Sequence, residues 1–194
     1  YGVAPDNQKI RSVTRIFEAI AGDPRVSWYG QVTVGETVPL AALRASASAV
    51  IVATGAADER RLGIPGEDLP GSYGARDFVA WYNGHPDAAE KQFDLSHPVA
   101  AVIGHGNVAL DVARLLLHHP ETLAATDVAG PALAALRQSA VCEVHLLGRR
   151  GPAQAAFTPV ELRGLEELRD CDLIINPADL DLDEATQANL ALPH

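Results

Sequence analysis

A glycine turn near the middle of the 194-residue sequence has the spacing with the clearest chemical meaning. The segment 98–117 reads PVAAVIGHGNVALDVARLLL. Its apolar run, Val99–Ile103, has the length of a buried parallel strand, and Gly104 and Gly106 follow it directly. A strand, a glycine turn and a helix start can bind a pyrophosphate, because the first N–H groups of the helix, from about Asn107, point at the anion. The turn therefore predicts dinucleotide binding, and the alternative is a strand-to-helix turn without a ligand.

A small residue is favoured at three positions of this turn, each for a different steric reason. Gly104 allows the tight turn, Gly106 lets the backbone approach the phosphates, and Ala109 allows the helix to pack closely on the strand. We expect the helix that follows to be amphipathic, with Asp111 and Arg114 directed away from its apolar face. That apolar face comprises Val108, Val112, Leu115 and Leu116.

Two arginines follow the next predicted strand, which covers 142–147. An NAD-binding protein would normally have Asp or Glu there for the ribose 2′-hydroxyl, whereas Arg149 and Arg150 suit the 2′-phosphate of NADP. The alternative is a solvated pair of surface arginines. The separation between Gly106 and Arg149 exceeds the roughly 20 residues that usually lie between the glycine turn and the residue that contacts the ribose. We interpret 118–140 as an insertion within the crossover, with a helix over 131–139.

These motifs resemble the adrenodoxin reductase-like ferredoxin-NADP reductases, which are two-domain FAD enzymes built like glutathione reductase. The resemblance rests on GHGNVALDVAR and LGRRGPAQAAFTPVEL, and upstream on YGVAPDNQKI, ATGA, LGIPGEDLPGS and WYNGHP. It implies an α/β fold: a Rossmann-like three-layer NADP-binding domain with a remnant of the FAD-binding domain.

The resemblance also implies site residues. Glu161 would lie near the nicotinamide end of NADP, and Thr54 and Gly55 would lie close to FAD in the parent protein. From spacing alone, Thr158 and Glu161 form a capping box at a helix start, and the residues at 54–55 form only a strand-to-loop turn. The remaining candidate NADP-binding residues are Gly104, His105, Gly106, Asn107, Val108, Ala109, Arg149 and Arg150.

We expect three regions and a longer parent protein. Residues 1–58 would be the remnant of the FAD-binding domain, 59–97 a linker and domain entry, and 98–194 the NADP-binding domain, which could start nearer 60. The sequence contains no methionine and begins at Tyr1, which suggests a piece of a longer protein. As the resemblance implies, the parent would use NADP and FAD to move electrons to or from a ferredoxin-like iron-sulfur protein. The fragment alone is expected not to bind FAD tightly and not to complete electron transfer.

Net charge and hydropathy argue against several other classes of function. The formal net charge of −10 argues against binding of nucleic acid or anionic membranes, and no apolar run approaches the roughly 18 residues of a membrane span. A cytoplasmic location is the default expectation, and neither a metal-ligand pattern nor a catalytic constellation is recognised. Two alternatives stay open, namely a non-catalytic NADP-binding module and part of a glutamate synthase-like flavoenzyme.

Periodicity predicts the remaining elements. Helices are expected over 8–21, 40–45, 77–82 and 159–168, with a short final helix capped by Asp183. Further strands are expected over 26–29, 31–34, 49–54 and 173–175.

Overall fold

The chain forms two compact units in a computed structural model, which describes residues 3–7, 11–56, 59–182 and 184–190. The larger unit combines Tyr1–Gln8 with Ile64–His194, and the smaller unit is Lys9–Gly63. Asp183, the predicted cap of the last helix, lies outside the described residues, as do residues 8–10 of the first predicted helix.

The elements are mostly short helices. The smaller unit contains α1 (Thr14–Ala21) and α2 (Leu40–Ser46). The larger unit contains α3 (Ala75–Tyr82), β1 (Val99–Ile103), α4 (Asn107–Leu117), α5 (Pro120–Leu123), α6 (Gly130–Leu136), β2 (Glu143–Leu147), α7 (Pro159–Glu166) and α8 (Glu184–Leu190). Single 3₁₀ turns cover Pro86–Ala88, Pro152–Gln154 and Pro177–Leu180.

A parallel pair of strands organises the larger unit. β1 and β2 pair in register from Val99 opposite Glu143 to Ile103 opposite Leu147. Helix α4 packs against both strands, so β1, α4 and β2 form the strand–helix–strand unit that the glycine turn predicts. The predicted α/β class is therefore confirmed. The described residues provide two of its three layers, the sheet and the helices on one of its faces.

The two faces of this sheet differ in burial. Val102 is 9% exposed and packs in the core, where the half-buried Val144 contacts the same cluster. On the other face, Val99, Ile103 and Leu147 are 47%, 56% and 50% exposed. Because side chains alternate along a strand, one apolar set lies beneath the helices while the other faces solvent.

The core of the larger unit centres on α3 and α4. Phe78, Trp81 and Tyr82 are buried on α3, and the ring of Phe93 lies 5.0 Å from the Phe78 centroid in an edge-to-face arrangement. Leu115 of α4 is fully buried in the same cluster. The predicted insertion contributes to this core, since its Leu123, Ala132 and Leu136 are buried there.

The four additional predicted strands are wrong. Residues 26–29, 31–34, 49–54 and 173–175 form no ladder, and only one isolated bridge joins Val34 to Val38. Ile51 is 87% exposed and Val52 is 75% exposed. An apolar run becomes a strand only when a neighbouring strand accepts its backbone hydrogen bonds, and the described residues supply none for these segments.

No helix in the described ranges combines the length and the apolar character that a membrane crossing requires.

Candidate dinucleotide-binding site

The glycine turn leaves β1 in a backbone conformation that favours glycine. Gly104 has φ +138°, which lies in the region that side-chain-bearing residues rarely adopt. Its N–H donates to the Leu147 carbonyl at 2.9 Å, so the strand pairing continues into the turn. A Cβ at Gly104 would lie 3.7 Å from the Ala109 Cβ, which is ordinary contact. The constraint at Gly104 is therefore its backbone angle, and Ala109 is the small residue that packs beside it.

Helix α4 begins with an open N-terminus. Gly106 is its N-cap residue and provides no side-chain hydrogen bond, and a Cβ at Gly106 would meet no atom within 4 Å. Among the described residues, nothing accepts a hydrogen bond from the backbone N–H of Asn107 or Val108. The Val108 side chain is 46% exposed, so it does not join the apolar face predicted for this helix. An open backbone with two available N–H groups at the positive end of a helix fits a pyrophosphate.

The parallel register brings the arginine pair to the same edge of the sheet. Ile103 lies opposite Leu147, so the glycine turn and the segment Gly148–Arg149–Arg150 both leave the carboxyl ends of paired strands. Arg149 and Arg150 are exposed. Ligands of open parallel sheets bind at this edge, so two exposed guanidinium groups here fit a second phosphate of the same ligand.

A loop that precedes α7 packs along the turn. The Ala156 N–H donates to the His105 carbonyl at 2.7 Å, and Gly106 forms an isolated parallel bridge with Ala156. The Thr158 N–H donates to Asn107 Oδ1 at 2.8 Å. The Asn107 side chain therefore holds the start of α7, while its backbone N–H has no acceptor among the described residues.

Half of the predicted capping box is present. Thr158 Oγ1 accepts a hydrogen bond from the Glu161 N–H at 3.3 Å and caps α7. The reciprocal half is wrong, because the Thr158 N–H bonds to Asn107 and the Glu161 carboxylate binds Arg114 instead. A charged guanidinium nearby is a stronger partner for the carboxylate than a backbone N–H.

Arg114 is the centre of a buried ion-pair cluster. Its Nη1 lies 3.2 Å from Glu161 Oε2, its Nη2 lies 2.6 Å from Asp111 Oδ1, and its Nε and Nη2 both donate to Asp6. The four side chains are 7–11% exposed. Asp111 and Arg114, which the sequence pattern placed away from the apolar face of α4, are therefore buried as well. Both are buried because each is paired inside the unit, which offsets part of the cost of leaving water.

The cluster contains more negative than positive groups. Three carboxylates, those of Asp6, Asp111 and Glu161, surround the single guanidinium of Arg114. Burial raises the pKa of Asp111 to about 6, although Arg114 opposes that shift. Burial acts to lower the pKa of Arg114, but its bonds to Asp6 and Asp111 outweigh this and raise it. Burial also lowers the pKa of the half-buried His118.

Sequence reasoning missed the residues that complete this cluster. Asp6 lies 108 residues before its partner Arg114 in the sequence. Asn7 donates to Glu161 Oε1 at 3.4 Å and lies 154 residues before Glu161. Only the Asp111–Arg114 pair has a local signal, since residues three apart on a helix are neighbours. The other contacts depend on tertiary structure that no spacing encodes.

Thr54 and Gly55 lie in the smaller unit, and both are exposed. Gly55 has φ +69°, in the left-handed region that favours glycine, but residues 51–56 form neither the strand nor the turn that the sequence predicts there. The role of these two residues near FAD stays a prediction.

Comparison with known proteins identifies close relatives, although no family model matches the chain. The chain is 54% identical over 180 residues to NADPH-ferredoxin reductase FprA of Mycobacterium tuberculosis. The matched segment covers 93% of this chain and 40% of that protein. The chain is 48% identical over 179 residues to the mitochondrial NADPH:adrenodoxin oxidoreductase of Mus musculus, which covers 92% of this chain and 36% of that protein.

A solved structure agrees with these relatives. Mycobacterium tuberculosis FprA in complex with NADPH superposes with a TM-score of 0.88 at 54% identity, over 92% of this chain and 40% of that one. The chain thus spans about two-fifths of the length of these relatives. Over the matched residues, this protein is a homologue of the adrenodoxin reductase-like ferredoxin-NADP reductases and has the corresponding α/β fold.

Proposed function

We propose that this chain is the NADP(H)-binding part of a ferredoxin-NADP reductase, which moves electrons between NADPH, FAD and an iron-sulfur protein. One observation carries the proposal. The positive-φ Gly104, the open N-terminus of α4 and the exposed arginine pair lie at one edge of the parallel sheet. The names of the relatives, which are reductases of ferredoxin and adrenodoxin, support the same activity.

The residues of this edge would divide the work of binding. The backbone of Gly104–Ala109, including His105, would face the pyrophosphate, because its N–H groups at the helix start favour an anion. Arg149 and Arg150 would bind the ribose 2′-phosphate by charge-assisted hydrogen bonds and so favour NADP over NAD. When bound, NADPH and FAD supply the hydride and single-electron chemistry.

Three further assignments belong to the proposal. Glu161 would face the nicotinamide end of the cofactor, held in a fixed orientation by Arg114. Thr54 and Gly55 would lie near FAD in the parent protein. We retain the division into 1–58, 59–97 and 98–194, and the larger unit's second segment, which begins at Ile64, supports a start near 60.

The parent's partner and environment are also proposed. A ferredoxin-like iron-sulfur protein would exchange electrons with the full-length protein, and the fragment alone would neither bind FAD tightly nor complete electron transfer. We retain the cytoplasmic location expected from the sequence, and cell fractionation of the parent would test it. One relative named above is a mitochondrial protein.

Calorimetric titration with NADP and with NAD, at fixed ionic strength, tests the binding site. We expect the wild type to prefer NADP, and Arg149→Ala/Arg150→Ala to weaken NADP binding by about 10- to 100-fold with a much smaller effect on NAD. The control is Arg163→Ala/Arg169→Ala, which removes two exposed positive charges elsewhere in the same unit. If the control weakens NADP binding equally, general electrostatics explains the effect. If the arginine-pair variant keeps full preference for NADP, the assignment of these residues is wrong.

A further inference from the structure

The ring of His105 occupies the space directly beside Gly148. A Cβ built on Gly148 would lie 2.6 Å from the His105 Cγ and closer still to Nδ1 and Cε1. Cβ atoms do not approach other atoms this closely, so any residue with a side chain at position 148 would displace the ring. Gly148 is not among the glycines with positive φ. The need for glycine at this position therefore comes from the histidine ring, and its backbone conformation does not require it.

The position of His105 is fixed from both sides. Gly104, before it, donates its N–H to Leu147, and Gly106, after it, bridges to Ala156. The ring centroid of His105 lies 6.2 Å from that of Phe157. The clash at Gly148 involves Cγ, the root of the ring, so rotation about the outer bond alone cannot relieve it.

This contact joins the two parts of the candidate site. His105 lies between the two glycines of the turn, and Gly148 directly precedes Arg149 and Arg150. We propose that His105 is a positioning residue: its ring, packed on Gly148, sets the spacing between the pyrophosphate turn and the two arginines, and thereby the preference for a 2′-phosphorylated dinucleotide. This inference rests on the proposed function, because it concerns the same binding site.

The test combines four variants of the whole chain in a double-mutant cycle with a ring control. They are His105→Ala, Gly148→Ala, the double variant that combines these two changes, and His105→Phe. Each is titrated with NADP and with NAD by calorimetry, and each is melted without ligand. A purely structural role would weaken both dinucleotides in parallel, so the informative quantity is the ratio of the two dissociation constants.

We expect His105→Ala and Gly148→Ala each to lower the preference for NADP by about tenfold, the effect of one misplaced charge-assisted bond. The double variant should be no worse than His105→Ala, because removing the ring makes room for the Cβ. His105→Phe should keep the preference within about twofold, since a ring still packs on Gly148.

Three binding results and one melting result would overturn the inference. The binding results are additive losses in the double variant, loss of preference in His105→Phe, or an unchanged ratio in His105→Ala. The melting cycle needs no ligand: if Gly148→Ala lowers the melting temperature equally with and without the His105 ring, the contact does not constrain position 148. Failure of the proposed function has a different signature, because the wild-type chain itself would then not bind NADP.

Discussion

Replacing Asp111 by asparagine should change how the stability of the larger unit depends on pH. Asp111 is one of three buried carboxylates around the single guanidinium of Arg114. Asparagine has nearly the same shape, does not titrate, and can still accept the hydrogen bond that Arg114 Nη2 donates at 2.6 Å. The substitution therefore removes a charge while it preserves the contact.

The magnitude follows from the raised pKa of Asp111. Its pKa is about 6 in the folded chain, against about 3.9 for an unfolded aspartate. A raised pKa means that the folded state binds the proton more tightly, so this contribution to stability is complete below about pH 4 and is lost as pH rises through 6. The difference between these two pKa values corresponds to about 3 kcal/mol of folding free energy. As pH rises from 4 to 7, the free energy of unfolding of Asp111→Asn should therefore increase by about 3 kcal/mol relative to that of wild type.

Urea denaturation of both proteins between pH 4 and pH 7 measures this difference. Trp81 is 6% exposed in the core of the larger unit, so its fluorescence reports unfolding there. The exposed Asp172→Asn serves as the control, because it makes the same chemical change outside the buried cluster. If Asp111→Asn instead loses stability relative to wild type as pH rises, then Arg114 dominates over burial and our reasoning on the cluster is refuted.

Two further pairs of substitutions test the cluster and the turn. Arg114→Met leaves three buried carboxylates without their cation and should cost about 3–5 kcal/mol in urea denaturation, whereas Arg137→Met, which breaks only the exposed pair with Glu121, should cost under about 1 kcal/mol. Equal costs would contradict the buried cluster. Gly104→Ala should cost about 1–3 kcal/mol because of its positive φ, while Gly106→Ala, in open space, should leave stability within about 0.5 kcal/mol and weaken NADP binding in calorimetry. Tight NADP binding by Gly106→Ala would show that no phosphate lies against that backbone.

The sequence predicts the centre of the larger unit well. β1 forms at the predicted residues, β2 begins one residue later than predicted, and the two pair in parallel around α4. The signals there are local, since an apolar run, a glycine turn and a helical period all lie within about 20 residues. The resemblance to the reductases is confirmed by relatives at about 50% identity.

The sequence-based predictions that failed have a common cause. The apolar run at 49–54 satisfies the pattern of a central strand, but a strand needs a neighbour, and periodicity does not say whether one is available. Arg114 has the charge of a surface residue, and only contacts with Asp6 and Glu161 make its burial possible. Local pattern therefore identified the elements, and tertiary partners decided which groups were buried.

The pairing of Asp6 with Arg114 has a consequence for how the chain folds. The larger unit recruits residues 3–7, although the whole smaller unit intervenes before the chain returns at Ile64. A contact that closes 108 residues incurs its loop-closure entropy before it contributes any stability. Contacts between β1 and α4 join residues that are close in sequence, so they cost little loop-closure entropy. They are therefore expected to form early. The short segment that contains Asp6 would then dock late, which makes the buried ion-pair cluster a final step of assembly and not part of its nucleus.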